Sequence, residues 1–177
     1  MLKLEIVTEL NIDNALQIQK EIFPEYSGKN NYIGSLNEDS KNIFFLIFDD
    51  KLCVGISGIY YFKNDFDSAW LAFFGILEPF RKKGFGKAAL KLTEEYAKKL
   101  NFKYMRLFTD KENNDKAINF YKKNKYKFED YDCPLEPLKD QFSVVIGSKA
   151  IAKQKLTLWN NKFINISKQT KKQNEGK

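Results

Sequence analysis

Histidine is absent from all 177 residues. That excludes imidazole acid–base steps, Ser-His-Asp and Cys-His nucleophilic machinery, and most catalytic zinc sites. Two cysteines, Cys53 and Cys133, are too few for a disulfide framework or a four-thiolate metal site, and they fit a reducing cytosol. With only nine glycines and four prolines, the chain is neither collagenous nor low in complexity, and a composition 43% hydrophobic and 15% aromatic can build a real core. Long hydrophobic runs are missing too. The longest, Ala69 to Leu77 with Gly75 counted, has nine residues, about half of what spans a bilayer. That is a good length for a buried strand. The N-terminus lacks a cationic lead followed by an apolar stretch, so no targeting segment is expected.

What is present in excess is positive charge, +7 overall, and it has an address. From Ser148 to the end there are eight lysines and one acid, Glu175, while the preceding residues balance at 22 basic and 22 acidic groups. The basicity belongs to a tail. Residues 1–147 therefore read as one domain and residues 148–177 as a basic C-terminal tail. Within it, Leu156, Trp159, Phe163 and Ile166 recur at helical spacing, which predicts a short amphipathic helix docking on the domain or on a second subunit. A homodimer is one way to cover that face. Nucleic acid is a weaker reading of the lysines than a solvated tail.

Patterning along the chain alternates between periods. Leu2 to Val7 predicts a first strand, and Asn11 or Asp13 caps a helix carrying Leu16, Ile18 and Ile22 that Pro24 stops. A short helix is expected around Tyr32-Ile33. Ile43 to Phe48 and Leu52 to Phe62 flank a turn at Asp49-Asp50-Lys51 and read as a hairpin, followed by the strand Ala69 to Leu77. Phe85, Ala89, Leu92, Tyr96 and Leu100 then mark an amphipathic helix. A strand at Tyr104 to Phe108, a helix opened by Asn113 or Asn114, and closing strands at Lys127 to Tyr131 and Phe142 to Ile146 complete the order. The class is α/β (α+β): a mixed, largely antiparallel central sheet of six or seven strands flanked by helices.

Chemistry concentrates in Ile76-Leu77-Glu78-Pro79-Phe80-Arg81-Lys82-Lys83-Gly84-Phe85-Gly86-Lys87. A buried strand ends, a basic loop with two glycines follows, and a helix begins at once. Glycines let successive N–H groups converge on one spot, the helix dipole adds partial positive charge, and Arg81, Lys82, Lys83 and Lys87 add full charges. This is a phosphate or pyrophosphate cradle. Gly84-x-Gly86-x-x-Ala89 also fits a dinucleotide fingerprint, with Asp110 placed as a ribose-binding acid, which would make the chain a nicotinamide-dinucleotide-binding oxidoreductase. The mainly antiparallel stretch before the loop and the short remainder after it fit that reading less well. A non-catalytic cofactor-binding module with a nucleic-acid-binding tail is the third reading.

Arg81-x-x-Gly84-x-Gly86 resembles the R-x-x-G-x-G/A signature of the GNAT (Gcn5-related) N-acetyltransferases. A second segment, Asn114-x-x-Ala117-Ile118-x-Phe120-Tyr121, is similar to that family's N-x-x-A-x-x-L/F-Y helix, and the likeness covers roughly Leu2 to Ile146. The resemblance implies an acetyl-CoA-dependent transferase acting on an amine, with no metal. It implies backbone contacts from Ile76 and Leu77 to the pantetheine arm, with the Leu77 N–H holding the thioester oxygen. It also implies a pyrophosphate cradle from Lys82 through Lys83, Gly84, Phe85 and Gly86 to Lys87, helped by Arg81. Asn114 and Ala117 would face the cofactor, and Tyr121 would protonate the departing thiolate. Some members carry a carboxylate base on the fourth strand, but Trp70 to Gly75 contains no acid. The base is left to Glu78, Glu25, Asp67 or water. Phe23, Glu25, Tyr26 and Trp70 are the expected acceptor wall. Where the family often has Gly-Phe, this chain has Lys125-Tyr126, so the helix stop is expected at Asn124, a residue that tolerates left-handed geometry.

Overall fold

Strands that are apolar at nearly every position need cover on both faces, and Ile43–Asp49 and Leu52–Tyr60 are such strands. The computed structural model describes residues 1–37, 39–62, 65–112, 114–131 and 144–159. They divide into two compact units. The first, Met1–Tyr61 with Ala69–Asn101, holds β1 (Leu2–Ile6), α1 (Ile12–Ile22), α2 (Lys29–Ser35), β2 (Ile43–Asp49), β3 (Leu52–Tyr60), most of β4 (Ser68–Ile76), a single 3-10 turn (Glu78–Phe80) and α3 (Phe85–Lys99).

Pairing in this unit is antiparallel throughout: β1 with β2, β2 with β3, β3 with β4. Phe44 and Leu46 point to one face and meet Ala15 and Ile18 of α1 and Tyr32 of α2. Ile47, one residue out of step, points to the other and meets Ala89 of α3. Phe45 sits edge-on to Tyr96 of α3, 4.8 Å between ring centroids. The period-2 geometry of a strand thus divides one unbroken apolar run between two helical layers. Each large side chain so buried contributes about 1.5–3 kcal/mol.

The second unit comprises Phe62–Ser68 and the described residues from Phe102 onward. It contains β5 (Tyr104–Asp110), α4 (Asp115–Lys123), β6 (Lys127–Asp130) and β7 (Val144–Ala150). β7 lies between β5 and β6 and is antiparallel to both. After β7 the chain turns back: Ile151 N–H donates to Lys103 carbonyl at 2.9 Å, Tyr104 hydroxyl donates to Lys155 carbonyl, and Trp159 is buried.

At the centre of this unit is a buried cation. Arg106 of β5 is 0% exposed. Its Nε donates to Ser68 Oγ at 2.9 Å, and its terminal nitrogens donate to Ser148 Oγ at 2.7 Å and Thr157 carbonyl at 2.8 Å. The buried Asp65 carboxylate stands 3.9 Å from Nε, and the guanidinium lies over the rings of Tyr104 and Trp159. Burial pushes the Arg106 pKa down, while Asp65 and Glu129 oppose that shift. Three hydrogen bonds and the nearby carboxylate keep such a charge in place.

Among the described residues the element order and class agree with the expectation from the sequence, seven strands with helices in a largely antiparallel α/β arrangement. Most bounds moved by one or two residues; the last strand runs four residues past its expected end, to Ala150, and its expected start at Phe142 lies outside the described residues. Among the described residues no helix is long and apolar enough to cross a membrane. The tail helix expected from Leu156 to Ile166 lies largely outside the described residues.

Candidate active site

The cradle forms where β4 ends. Phe80 N–H bonds back to Leu77 carbonyl and Arg81 N–H to Glu78 carbonyl, closing the 3-10 turn. Arg81 Nε then donates to Ile76 carbonyl at 2.8 Å, so this side chain braces the loop against the strand end. Lys82 and Gly84 both sit in the left-handed region, φ 61° and 87°, with Lys83 outside it between them. Such alternation of handedness turns successive N–H groups toward one concave side. Gly84 is the N-cap of α3 and offers no side-chain cap, so the first-turn amides of Phe85, Gly86 and Lys87 have no acceptor within the helix. A Cβ added at Gly84 would meet nothing within 4 Å. Arg81, Lys82, Lys83 and Lys87 flank this opening, all four exposed. An uncapped helix start, a left-handed glycine facing open space and four cations fit a pyrophosphate.

Leu77 departs from its expected role. Its N–H donates to Val54 carbonyl of β3 at 2.9 Å and is already spent, so it is not the donor for a developing oxyanion. In an antiparallel strand, successive residues send their N–H and C=O groups to opposite edges. Ile76 therefore directs its N–H, with the carbonyl that Arg81 holds, to the edge away from β3.

Just upstream, β4 is irregular. Ile56 pairs with Gly75 but Gly58 with Ala72, so two steps on β3 span three on β4. Phe73 takes up the extra residue at φ 43°, a costly geometry for a non-glycine that surrounding contacts must enforce. The strand is buried from Ser68 to Leu71, half-buried from Ala72 to Gly75, and buried again at Ile76. Access opens at the bulge. No sequence signal announced it, because Phe73 sits in an ordinary apolar run.

The end of α1 covers this stretch. Phe23 lies 6.2 Å from Phe73, and a Cβ on Gly75 would stand 2.4 Å from Ile22 Cγ2 and 3.3 Å from the Phe23 ring. Gly75 is what lets the helix end approach so closely. Gln19, on the buried face of α1, donates from Nε2 to Tyr26 carbonyl at 2.7 Å and accepts from Gly28 N–H at 2.8 Å. It holds the Phe23–Gly28 loop in shape. A polar residue on an otherwise apolar helical stripe was the available signal for it. Of the expected acceptor wall, Phe23 is half-buried at the bulge, while Glu25 and Tyr26 are exposed on the loop. Trp70 is 0% exposed. It is a core residue opposite Tyr60, covered on both faces, and is withdrawn from the wall. Asp67 is paired with Lys103 at 3.0 Å, and Glu78 is exposed in the 3-10 turn.

In the second unit, Asn114, Ala117, Ile118 and Tyr121 share one face of α4 by their spacing. Asn114 is the N-cap, but its side chain makes no cap bond to the helix. Tyr121 is buried, edge-on to Phe120 at 5.2 Å and to Tyr126 at 5.4 Å, and burial pushes its phenol pKa up. It stays protonated at any ordinary working pH. The helix ends at Lys123, as the Asn124 stop implied, but Asn124 has φ −95° and instead donates from its side chain to Phe120 carbonyl. The left-handed residue is Lys125, φ 71°. A backbone hydrogen bond from Tyr126 to Tyr121 carbonyl imposes that turn.

A bulged strand runs straight into a cationic loop and an uncapped helix start. Residues 9–126 match the Acetyltransferase (GNAT) family, and the chain belongs to that family. No curated protein sequence matches it significantly. Among solved structures it is similar to a ribosomal-protein-S18-alanine N-acetyltransferase from Escherichia coli, at 14% identity and TM-score 0.67, covering 90% of this chain and 99% of that one. It is similar to PaiA N-acetyltransferase from Thermoplasma acidophilum in complex with coenzyme A, at 20% identity and TM-score 0.62, covering 85% and 99%. An acetyltransferase from Bacillus subtilis in complex with CoA gives 18% and 0.64, covering 85% and 99%. The dinucleotide reading falls with family membership. Asp110 serves its own loop instead, where its carboxylate accepts the Glu112 N–H at 3.1 Å.

Proposed function

We propose that this chain is an acetyl-CoA-dependent N-acetyltransferase that moves the acetyl group to a primary amine by direct attack within a ternary complex. The observation that carries this reading is the uncapped start of α3 at the left-handed Gly84, ringed by Arg81, Lys82, Lys83 and Lys87. Residues 82–87 hold the pyrophosphate, and Ile76 and Leu77 line the pantetheine arm. The acetyl thioester supplies the activated carbonyl. The Ile76 N–H, rather than that of Leu77, stabilises negative charge as it develops on the carbonyl oxygen. Asn114 and Ala117 contact the cofactor from α4, and Tyr121 returns a proton to the departing thiolate. Holding two substrates together supplies much of the rate. The proton leaves the amine to water or to an exposed carboxylate, Glu25 or Glu78. A cytosolic setting accords with a two-cysteine chain in which Cys53 is a free thiol.

The thermal midpoint with acetyl-CoA and, separately, with NADH tests this reading. At about 100 times the dissociation constant, linkage gives roughly 2.7 kcal/mol, a rise of about 5–10 °C for a domain of this size. A rise with acetyl-CoA alone is expected; no rise removes the proposal. Tyr121→Phe should then lower kcat roughly 100-fold, the lower range for a lost general acid, with acetyl-CoA affinity unchanged because the ring remains. An unchanged kcat in single-turnover measurements would take Tyr121 out of the chemistry.

A further inference from the structure

Tyr32 of α2 is 0% exposed, and its hydroxyl is the buried side-chain polar atom without a hydrogen-bond partner among the described residues. A stranded hydroxyl of this kind costs stability, and native cores seldom keep one without a use. Its surroundings say what that use is. The ring packs 4.7 Å from Phe44 and stacks on Phe73 at 6.1 Å with 22° between planes. Phe73 is the strained bulge residue, and it touches Phe23 in turn. On its other side, the ring carbon next to the hydroxyl-bearing carbon lies against Gly28, where an added Cβ would stand only 2.7 Å away. Gln19 reaches the same glycine, but both ends of its amide are committed to Tyr26 and Gly28.

The hydroxyl therefore sits between the Phe23–Gly28 loop and the half-buried stretch of β4, behind aromatic rings that carry no charge. We propose that Tyr32 is a specificity-determining residue of the acceptor site, donating a hydrogen bond to a polar group on an amine whose body is apolar or aromatic and lies along Phe23 and Phe73. This rests on the acyltransfer reading above. It names the acceptor class: a compact amine with an aromatic or alkyl body, not a polycation. The rings packed on Tyr32, Phe44 and Phe73, offer nothing to offset a second or third ammonium group, and Glu25 on the neighbouring loop supplies one carboxylate. Phe73 forms the cover. Its ring, half-buried at the bulge and stacked on Tyr32, is what an acceptor must displace to reach the hydroxyl.

Steady-state acetylation of phenylalanine amide, phenethylamine and spermidine by wild type and Tyr32→Phe tests this. Phenylalanine amide carries an aromatic body and a carbonyl that can accept the bond; phenethylamine has the body alone. Wild type should prefer phenylalanine amide to both others. Tyr32→Phe should raise its KM about tenfold and leave phenethylamine within twofold. The acetyl-CoA thermal shift should be unchanged, and the ligand-free midpoint equal or higher, since the variant removes only an unsatisfied hydroxyl. A merely structural Tyr32 would lower the midpoint and affect all three amines alike. Equal KM values for phenylalanine amide in the two proteins, spermidine as the best acceptor, or no turnover of phenylalanine amide by a wild type that binds acetyl-CoA each overturn the proposal. Failure of wild type to bind acetyl-CoA overturns the reading beneath it.

Discussion

Gly84→Glu should abolish acetyl-CoA binding while leaving the protein folded. Two separate costs are involved. Gly84 sits at φ 87°, where an L side chain costs about 1–2 kcal/mol. The space around it is open, since a Cβ meets nothing within 4 Å, so no packing is lost. The fold should survive with a midpoint only a few degrees lower. The second cost falls on the ligand. A carboxylate about 4 Å from a phosphate near a protein surface is unfavourable by about 4 kcal/mol, or roughly a thousandfold in affinity. Gly84→Ala separates the two, because it shares the strain but adds no charge. It should show the same small midpoint loss and less than a tenfold loss of affinity. Titration calorimetry with acetyl-CoA on both variants reads the difference. Intact affinity in the glutamate variant would mean that the α3 start is a structural turn and that the phosphates bind elsewhere.

Arg106→Met is expected to be the most destabilising single change in the second unit. The guanidinium joins Ser68, Ser148 and Thr157, contributed from 38, 42 and 51 residues away, beside a buried Asp65. Methionine matches the stem but leaves the carboxylate buried without its cation and the Thr157 carbonyl without its donor. Removing one partner of a buried, hydrogen-bonded ion pair costs about 3–5 kcal/mol, which corresponds to a fall of about 10 °C or more here. Adding Asp65→Asn should restore part of the loss, since the stranded charge is then gone. Urea unfolding of the two variants measures this directly. A loss below about 1 kcal/mol for the single variant would show that the cluster is incidental to stability.

Much of the scaffold was legible in the residues, for local reasons. The step of four and three from Phe85 to Leu100 can only be an amphipathic helix, and the run Ala69 to Leu77 could be little but a buried strand. The order strand, cationic loop, two glycines, helix states an anion cradle because glycine conformations and helix-end amides are properties of the chain within a few residues. The helix stop was placed at Asn124, but the left-handed residue that makes the turn is Lys125, which the local sequence did not indicate.

Other features depended on partners far along the chain. Which way the Leu77 N–H points is settled by the register of β4 on β3, and that register carries a bulge that places Phe73 at positive φ. Arg106 reads as one more surface charge until Ser68, Asp65, Ser148 and Thr157 close around it. Trp70 looked like a substrate wall and is core, because the first half of β4 is covered on both faces and the second half is not. The sequence alone determined the elements and the cationic, glycine-containing start of α3, since φ preferences, helical periodicity and local charge act over one or two turns. Tertiary structure alone decided which backbone groups are spent, which charge is buried and where the strand opens, since hydrogen-bond partners and burial are set by residues that meet only when the chain folds.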